Sequence, residues 1–342
     1  MTDTRLPVAG TSPSRMLEIE NLSVHFSRSG KLMRAVDGVS LHVAAGETLG
    51  LVGESGSGKT TIGRALLRLL PEANTQWQGA IRYQGTDLAS LSRAGMRGMR
   101  GRMQMIFQDP ASSFNPRRTI EDIVAEGLVI QGVPKAERRT RVEAALADVG
   151  FALADVIGRK PHQFSGGQCQ RIAIARALAV QPDLIVCDEP VASLDVSVQA
   201  HVINLLQDIR EARRLAMIFI SHDLAVVKNV SDRVAVLYMG KVVEMGSGEQ
   251  IYDRPAHPYT RKLLEAVPVV DASRKLRPDA DQQAIPSRIR PPSGCAFHTR
   301  CPRAVARCGE EEPILTPAPR GQMVACHFPH DEPAPFSIAR QA

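Results

Sequence analysis

Short apolar runs alternate with longer segments of mixed polarity along this chain of 342 residues. Three runs, at 48–52, 184–187 and 217–220, are apolar without alternation, which is typical of short strands buried on both faces of a parallel sheet. The segments 61–70 and 169–180 are longer and rich in Ala, Ile and Leu, and they predict buried helices. The pattern therefore predicts an α/β fold built on a parallel sheet.

Other parts of the chain carry different patterns. Residues 120–151 have helical polar–apolar periodicity that is interrupted at Gly132 and Pro134. Strand-like runs resume between 183 and 248. Pro, Arg and Asp are frequent at 267–292, which predicts an extended linker before a C-terminal segment.

The loop after the first apolar run is rich in glycine. Residues 53–60 read GESGSGKT and fit the pattern G-x-x-x-x-G-K-S/T between a strand and a helix. Such a loop turns backbone N–H groups towards phosphate oxygens, and the helix N-terminus adds partial positive charge. We expect Lys59 to bind the β- and γ-phosphates of a nucleotide and the Thr60 hydroxyl to bind Mg²⁺. The predicted nucleotide-binding residues here are Gly53, Ser55, Gly56, Ser57, Gly58, Lys59, Thr60 and Thr61.

Two acidic residues follow the second apolar run. Asp188 comes at the C-terminal end of this predicted strand, where α/β sheets place ligand-binding residues, and it could bind Mg²⁺ directly or through water. Glu189 follows immediately and is the candidate to orient and polarise the attacking water. The sequence therefore predicts nucleotide hydrolysis.

A second helix start has the character of an anion-binding site. Residues 164–168 read FSGGQ, and Ser165 is placed to cap the helix that follows. Gly166 and Gly167 leave backbone N–H groups uncovered. Because one nucleotide does not need two such sites on one subunit, we expect the second to act on the nucleotide of a partner subunit.

These strings, in this order, resemble the ATP-binding cassette (ABC) ATPases over residues 16–247. The resemblance implies a signature motif made of Ser165, Gly166, Gly167 and Gln168. It also implies that Gln108 is the Q-loop glutamine and that Asp195 belongs to the D-loop, which contacts the opposite subunit. His222 would be the switch histidine at the γ-phosphate, and Phe26 would stack on adenine. By the same resemblance the expected ligands of Mg²⁺ are Thr60, Gln108 and Asp188.

The family resemblance also implies the architecture. We expect a P-loop NTPase of the ABC type with a RecA-like core, a helical subdomain and an antiparallel β portion, followed by a small Cys-rich extension. The expected limits are a flexible N-terminus at 1–15, a nucleotide-binding domain at 16–260 with its helical subdomain at about 109–180, and a C-terminal extension at 261–342.

Composition and charge add limits on the class of protein. No apolar stretch approaches the ~20 residues that a membrane-spanning helix needs, and residues 1–16 contain no apolar core of a secretory signal. The net charge of +6 is spread through the chain. The basic stretch 93–102 is interleaved with Met96 and Met99 and continues to Met103 and Met105. We interpret it as a docking surface for a partner, and the alternative is a turn whose Met side chains pack inward.

Four of the six cysteines fall near the C-terminus, and a cytoplasmic chain should not keep disulfides. Four clustered thiols, Cys295, Cys301, Cys308 and Cys326, therefore predict a metal site. Zinc and an iron–sulfur cluster both accept four thiolates, and the missing C-x-x-C spacing weighs mildly against zinc. The segments 257–268, 294–308 and 324–327 resemble the C-terminal extension of oligopeptide and dipeptide importer ATPases, which implies a 4Fe–4S cluster, with zinc as the alternative.

The two resemblances together imply an ATPase subunit that powers peptide import. It would act at the cytoplasmic face of the membrane with two transmembrane permease subunits, a second ABC ATPase subunit (a paralogue or a copy of itself) and an extracytoplasmic peptide-binding protein. A nickel chelate or glutathione is an alternative solute. A soluble ABC ATPase that acts on nucleic acid is the alternative class, and the lack of aromatic residues in the basic stretches speaks against it. We therefore expect no nucleic-acid partner.

Overall fold

A computed structural model describes residues 15–28, 31–266 and 286–333 of the chain. Residues 1–14 of the predicted flexible N-terminus and most of the predicted linker lie outside these residues, whereas Arg15 begins a strand. The strands are β1 (Arg15–Arg28), β2 (Lys31–Ala44), β3 (Thr48–Val52), β4 (Thr75–Tyr83), β5 (Thr86–Asp87), β6 (Met103–Ile106), β7 (Leu184–Asp188), β8 (Ala216–Ile220), β9 (Arg233–Tyr238), β10 (Lys241–Ser247), β11 (Thr316–Pro317) and β12 (Met323–Val324).

Helices connect most of these strands. The α-helices are α1 (Lys59–Leu66), α2 (Arg93–Arg102), α3 (Pro110–Ser113), α4 (Ile120–Ile130), α5 (Lys135–Asp148), α6 (Leu153–Val156), α7 (Gly166–Ala179), α8 (Val196–Arg213), α9 (Leu224–Val230), α10 (Gly248–Asp253), α11 (Pro258–Glu265) and α12 (Ala306–Glu310). Short 3-10 turns lie at Glu72–Asn74, Pro161–Gln163 and His298–Arg300. No helix in the described ranges is both long enough and apolar enough to cross a bilayer.

The strands form two sheets. The larger has eight strands in the order β11–β12–β10–β9–β3–β8–β7–β6. Strands β9, β3, β8, β7 and β6 pair in parallel, whereas β10, β12 and β11 are antiparallel additions at one edge. The smaller sheet, in the order β2–β1–β4–β5, is antiparallel throughout. The predicted α/β class and its antiparallel portion are thus confirmed.

Apolar side chains cover both faces of the parallel strands. Along β8, Met217 and Phe219 join a cluster with the helices α4, α5, α7 and α8. The alternate residues Ile218 and Ile220 join a second cluster with the antiparallel sheet. Because successive strand residues point to opposite faces, a strand buried on both faces needs an unbroken apolar run. This is why the pattern of the sequence identified these strands.

The methionines of the basic stretch pack inward, whereas its arginines Arg93 and Arg97 stay exposed. It folds as α2 and β6, and Met96, Met103 and Met105 are 2%, 0% and 7% exposed. The three side chains pack in the cluster beneath the antiparallel sheet. The inward packing of the Met side chains that we weighed is confirmed, on a helix and a strand rather than a turn, and docking through the exposed arginines stays a prediction.

The described C-terminal segment is continuous with the large sheet. Strand β12 pairs with β10, with Val324 opposite Glu244, and Ala325 N donates to Val243 O at 2.8 Å. The buried carboxylate of Glu244 accepts hydrogen bonds from the amide of Gln322 (3.1 Å) and from the backbone N–H groups of Ala256 and His257. Burial raises the pKa of Glu244 to about 7, and these donors act against that shift. The extension is therefore tied to the sheet that carries the site below.

Candidate nucleotide-binding site

The predicted site residues converge at one edge of the parallel sheet. The phosphate loop, residues 53–60, follows β3. Gln108 follows β6, Asp188 ends β7 and His222 follows β8. Because these strands are parallel neighbours, their carboxyl ends lie side by side, which is where open α/β sheets bind ligands.

Two glycines fix the shape of the phosphate loop. Gly53 has φ of 146°, and a Cβ atom there would lie 2.1 Å from Leu237 O. Gly58 has φ of 109°, and a Cβ atom would lie 2.5 Å from Ala35 O. Only glycine tolerates such backbone angles at such close approach. Gly58 is also the N-cap of α1, so the loop leads directly into a helix N-terminus.

Lys59 is folded into this loop. Its side chain is 4% exposed, and Nζ donates to Gly53 O at 2.6 Å and to Glu54 O at 3.1 Å. Burial lowers the pKa of Lys59, while the nearby carboxylates Glu189 and Asp188 act in the opposite direction. In the described ranges, the hydrogen bonds of this buried ammonium go to the two carbonyl oxygens and to the Ser57 hydroxyl, and such a cation is suited to bind the phosphates of a nucleotide.

Thr60 and Asp188 bring two oxygen ligands together. The Thr60 hydroxyl donates to Asp188 Oδ1 at 2.7 Å, and Asp188 is 3% exposed. Burial raises the pKa of Asp188, and the hydrogen bond from Thr60 opposes that shift. A hydroxyl and a carboxylate at this spacing are the donor types that a hard cation such as Mg²⁺ prefers.

Glu189 is held by its backbone and by two side chains. Its φ of 48° lies in the left-handed region, which is uncommon for a residue with a side chain, and its N–H donates to Ile220 O at 2.9 Å. Gln108 Nε2 donates to Glu189 Oε2 at 3.1 Å, and His222 Nδ1 lies 3.4 Å from Oε1. The structure thus brings together three residues that are distant in sequence.

The signature residues cap a helix and remain open to solvent. Ser165 is the N-cap of α7, as predicted, and it exchanges hydrogen bonds with Gln168 at 2.8 and 3.3 Å. Ser165 and Gly166 are exposed. No hydrogen bond between either residue and the phosphate loop is present in the described ranges. Asp195 is also exposed and is the N-cap of the neighbouring helix α8.

Phe26 belongs to the antiparallel sheet. It lies on β1, opposite Met33 of β2 and Thr75 of β4, and it is half-buried against the core under the antiparallel sheet. Its predicted stacking on adenine stays a prediction.

The predicted metal sites are not preformed. Across the ranges 15–28, 31–266 and 286–333, no group of three or more His, Cys, Asp or Glu side chains could hold a metal ion. At the nucleotide site, Gln108 bonds to Glu189, and Thr60 bonds to Asp188. The four C-terminal cysteines do line one cavity, together with the rings of Phe297 and Phe328. Neither the predicted 4Fe–4S cluster nor its zinc alternative is thus shown in this part of the chain.

Sequence reasoning missed a contact between the phosphate loop and the extension. Arg300 makes two hydrogen bonds to the carboxylate of Glu54, at 2.8 and 2.9 Å. Tyr259 Oη accepts a hydrogen bond from Glu54 N at 2.8 Å. Glu54 occupies a variable position of the loop pattern, and no local signal in the sequence points to these partners.

The glycine-rich loop leads into a helix, and Lys59 is folded inside the loop. Thr60 bonds to Asp188 at the end of β7, which lies two strands from β3 in the sheet. These features define a P-loop nucleotide-binding protein. Comparisons with known protein families identify the kind of P-loop protein. Residues 36–192 match the family model described as ABC transporter, and residues 243–308 match the one described as oligopeptide/dipeptide transporter, C-terminal region.

Individual relatives agree with these matches. A putative peptide import ATP-binding protein of Brucella ovis is 50% identical over 313 residues, which cover 91% of this chain and 97% of the relative. The oligopeptide transport ATP-binding protein OppF of Salmonella typhimurium is 48% identical over 314 residues, which cover 88% of this chain and 92% of OppF. This chain belongs to the ABC transporter family, as an ATP-binding protein of the oligopeptide/dipeptide type.

Solved structures agree on the fold. The cbiO1 protein of Clostridium perfringens, part of an ABC transporter complex, has a TM-score of 0.60 and 27% identity, and the match covers 70% of this chain and 90% of cbiO1. The dimeric ABC transporter cassette MJ0796 has a TM-score of 0.61 and 26% identity, and the match covers 68% of this chain and 98% of MJ0796. The family that we identified from the sequence is confirmed.

Proposed function

We propose that this chain hydrolyses ATP to power the import of di- and oligopeptides through a membrane transporter. The observation that carries the proposal is Glu189, held between Gln108 and His222 beside the phosphate loop. A carboxylate fixed in this way can orient a water molecule for attack on a terminal phosphate. The peptide substrate is supported by the names of the relatives and by the match of the C-terminal region.

Catalysis in this proposal is mostly positioning and charge stabilisation. The N–H groups of the phosphate loop and Lys59 bind the phosphates. Thr60, Asp188 and Gln108 would hold Mg²⁺, and the ion would supply positive charge that neutralises the phosphates. Gln108 would reach the ion through its amide oxygen, because its Nε2 donates to Glu189. Glu189 then orients the water, and His222 contacts the γ-phosphate.

The proposal includes a second ATPase subunit, a paralogue or a copy of this chain. The N-terminus of α7 is open to solvent, and its capping residues Ser165 and Gly166 make no hydrogen bond to the described phosphate loop. A partner's nucleotide would complete this anion site, with Asp195 at the same surface. The solved cassette MJ0796, similar to this chain in fold, is dimeric.

Further partners follow from the importer role. We propose two transmembrane permease subunits, an extracytoplasmic peptide-binding protein and a peripheral position at the cytoplasmic face of the membrane, where ATP is present. The comparisons give no support to nucleic acid, nickel chelates or glutathione as alternatives.

Uptake by cells tests the function. In a strain that lacks this chain, we expect uptake of labelled di- and tripeptides to fall to background, because the permease would lose its energy source. Expression of the wild-type chain should restore uptake, and the Glu189→Gln variant should not. Labelled nickel chelate and glutathione are measured in parallel, and loss of their uptake with normal peptide uptake would contradict the peptide assignment.

The cysteine cavity supports a second proposal, that a 4Fe–4S cluster is held by Cys295, Cys301, Cys308 and Cys326. The four thiols line one partly apolar cavity, and four cysteines are the usual ligands of such a cluster. A cluster is larger than one ion, so its ligands need not form the compact group of a zinc site.

Metal analysis tests the cluster. We expect anaerobically purified protein to contain about four iron atoms and four acid-labile sulfides per chain, as the cluster formula requires. The Cys301→Ser variant should lose both, because one ligand is removed. The matched control is Cys169→Ser, since Cys169 is buried in the core of the ATPase fold. About one zinc per chain without sulfide would overturn the cluster.

A further inference from the structure

The Glu54–Arg300 pair connects the phosphate loop to the C-terminal extension. Arg300 Nη1 and Nη2 each bond one carboxylate oxygen of Glu54, at 2.9 and 2.8 Å. The Arg300 side chain is 7% exposed and that of Glu54 is 25% exposed. A bidentate arginine–carboxylate pair that is largely shielded from water is stronger and more directional than a surface ion pair.

Aromatic rings hold Arg300 in place. Its guanidinium lies 5.7 Å from the ring of Tyr238 and 5.9 Å from that of Phe297, and Nη1 donates to Tyr238 Oη at 3.3 Å. The Phe297 ring packs edge-on against Tyr238, with centroids 5.3 Å apart, and Tyr238 lies 4.6 Å from Tyr259. Rings from β9, α11 and the extension thus form one rigid support for the arginine.

Glu54 is held at three points. Its side chain bonds Arg300, its N–H donates to Tyr259 Oη, and its carbonyl oxygen accepts from Lys59 Nζ at 3.1 Å. The last bond joins the anchored residue directly to the lysine that binds phosphate. A second arginine of the extension also approaches the loop, since Arg288 Nη2 lies 3.6 Å from where a Cβ atom on Gly56 would be.

We infer that the C-terminal extension contributes to nucleotide binding, and that Arg300 is a positioning residue for the phosphate loop. The Glu54–Arg300 pair fixes the loop in the shape that binds phosphate before the nucleotide arrives. ATP affinity therefore depends on a residue that lies 246 positions away from the loop. The inference rests on the proposed ATP-dependent function and adds a role for the extension.

A double-mutant cycle on ATP affinity tests the inference with the full-length chain. Calorimetric titration with ATP, in EDTA to prevent turnover, gives Kd for the wild type, Glu54→Gln, Arg300→Gln and the double variant. We expect each single change to raise Kd about tenfold, the size of one lost charge-assisted contact. The double variant should be no weaker than either single variant, because both changes break the same contact.

The matched control is Arg320→Gln, which makes the same change at an arginine of the extension that pairs with Asp331 at the surface. Its Kd should equal that of the wild type. Circular dichroism at the assay temperature separates a positioning role from loss of structure, because a folded variant with a raised Kd supports positioning. If Arg300→Gln does not fold, the Kd of Glu54→Gln tests the inference, since this variant leaves the extension unchanged.

Two results would overturn the inference: folded single variants with Kd within twofold of the wild type, or a double variant whose effect is the product of the two single effects. A wild-type chain that binds no ATP would contradict the proposed function itself, and the inference with it. Failure of the inference alone would leave wild-type ATP binding intact, so the two failures are distinguishable.

Discussion

Glu189→Gln is expected to abolish ATP turnover and to leave ATP affinity unchanged. The amide retains the size of the side chain and can still meet Gln108 and His222, but it cannot polarise water as a carboxylate does. General-base catalysis contributes roughly 10²–10⁴-fold, so kcat should fall by that factor. Phosphate release measures turnover, and titration with ATP measures affinity. The unhydrolysed nucleotide should also accumulate in an ATP-bound dimer, detected by size-exclusion chromatography.

Glu249→Gln is the matched control for this change. Glu249 is an exposed carboxylate in the first turn of α10, outside the nucleotide site, so its variant should hydrolyse ATP at the wild-type rate. If Glu189→Gln keeps a rate near the wild-type value, another residue orients the water, and our assignment of Glu189 is wrong.

Lys59→Ala is expected to remove ATP binding itself. The side chain is the buried cation of the phosphate loop, and its Nζ atom also bonds Gly53 O and Glu54 O. Its loss removes a charge partner of the phosphates and a support of the loop at once. At about 3 kcal/mol for charge-assisted bonds, Kd for ATP should rise roughly 100-fold or more. Calorimetric titration of the full-length chain measures the change.

Lys135→Ala serves as the control for the loss of a positive charge. Lys135 is exposed at the start of α5 in the helical part of the fold, so its removal should leave Kd for ATP unchanged. Equal affinities of Lys59→Ala and the wild type would mean that the nucleotide does not bind at the phosphate loop. Together with the Glu189 variant, this change separates binding from catalysis.

Much of the site could be predicted because short sequence motifs contain its chemical groups. The loop 53–60, Asp188 with Glu189, and the cap at Ser165 each need only a few consecutive residues at a strand end or a helix start. The loop and the acidic pair also follow strands of one parallel sheet, and such strands present their carboxyl ends at the same edge.

Contacts between distant segments could not be predicted in this way. The Glu54–Arg300 pair joins residues that lie 246 positions apart in the sequence, and neither residue carries a local signal for the other. The methionines of α2 and β6 show a related limit. Their spacing suits both a docking surface and a core, and only the antiparallel sheet that covers them decides between the two.

The pairing of β12 with β10 bears on the solubility of shortened forms of this protein. A chain cut after α11, at Glu265, would lose the strand that covers β10 and the Gln322 amide that bonds Glu244. Strand β10 would then be an exposed edge, and open edges of this kind join sheets of neighbouring molecules into aggregates. The extension thus protects the molecule from self-association, and a minimal fragment would need charged or proline residues along β10 to stay dispersed.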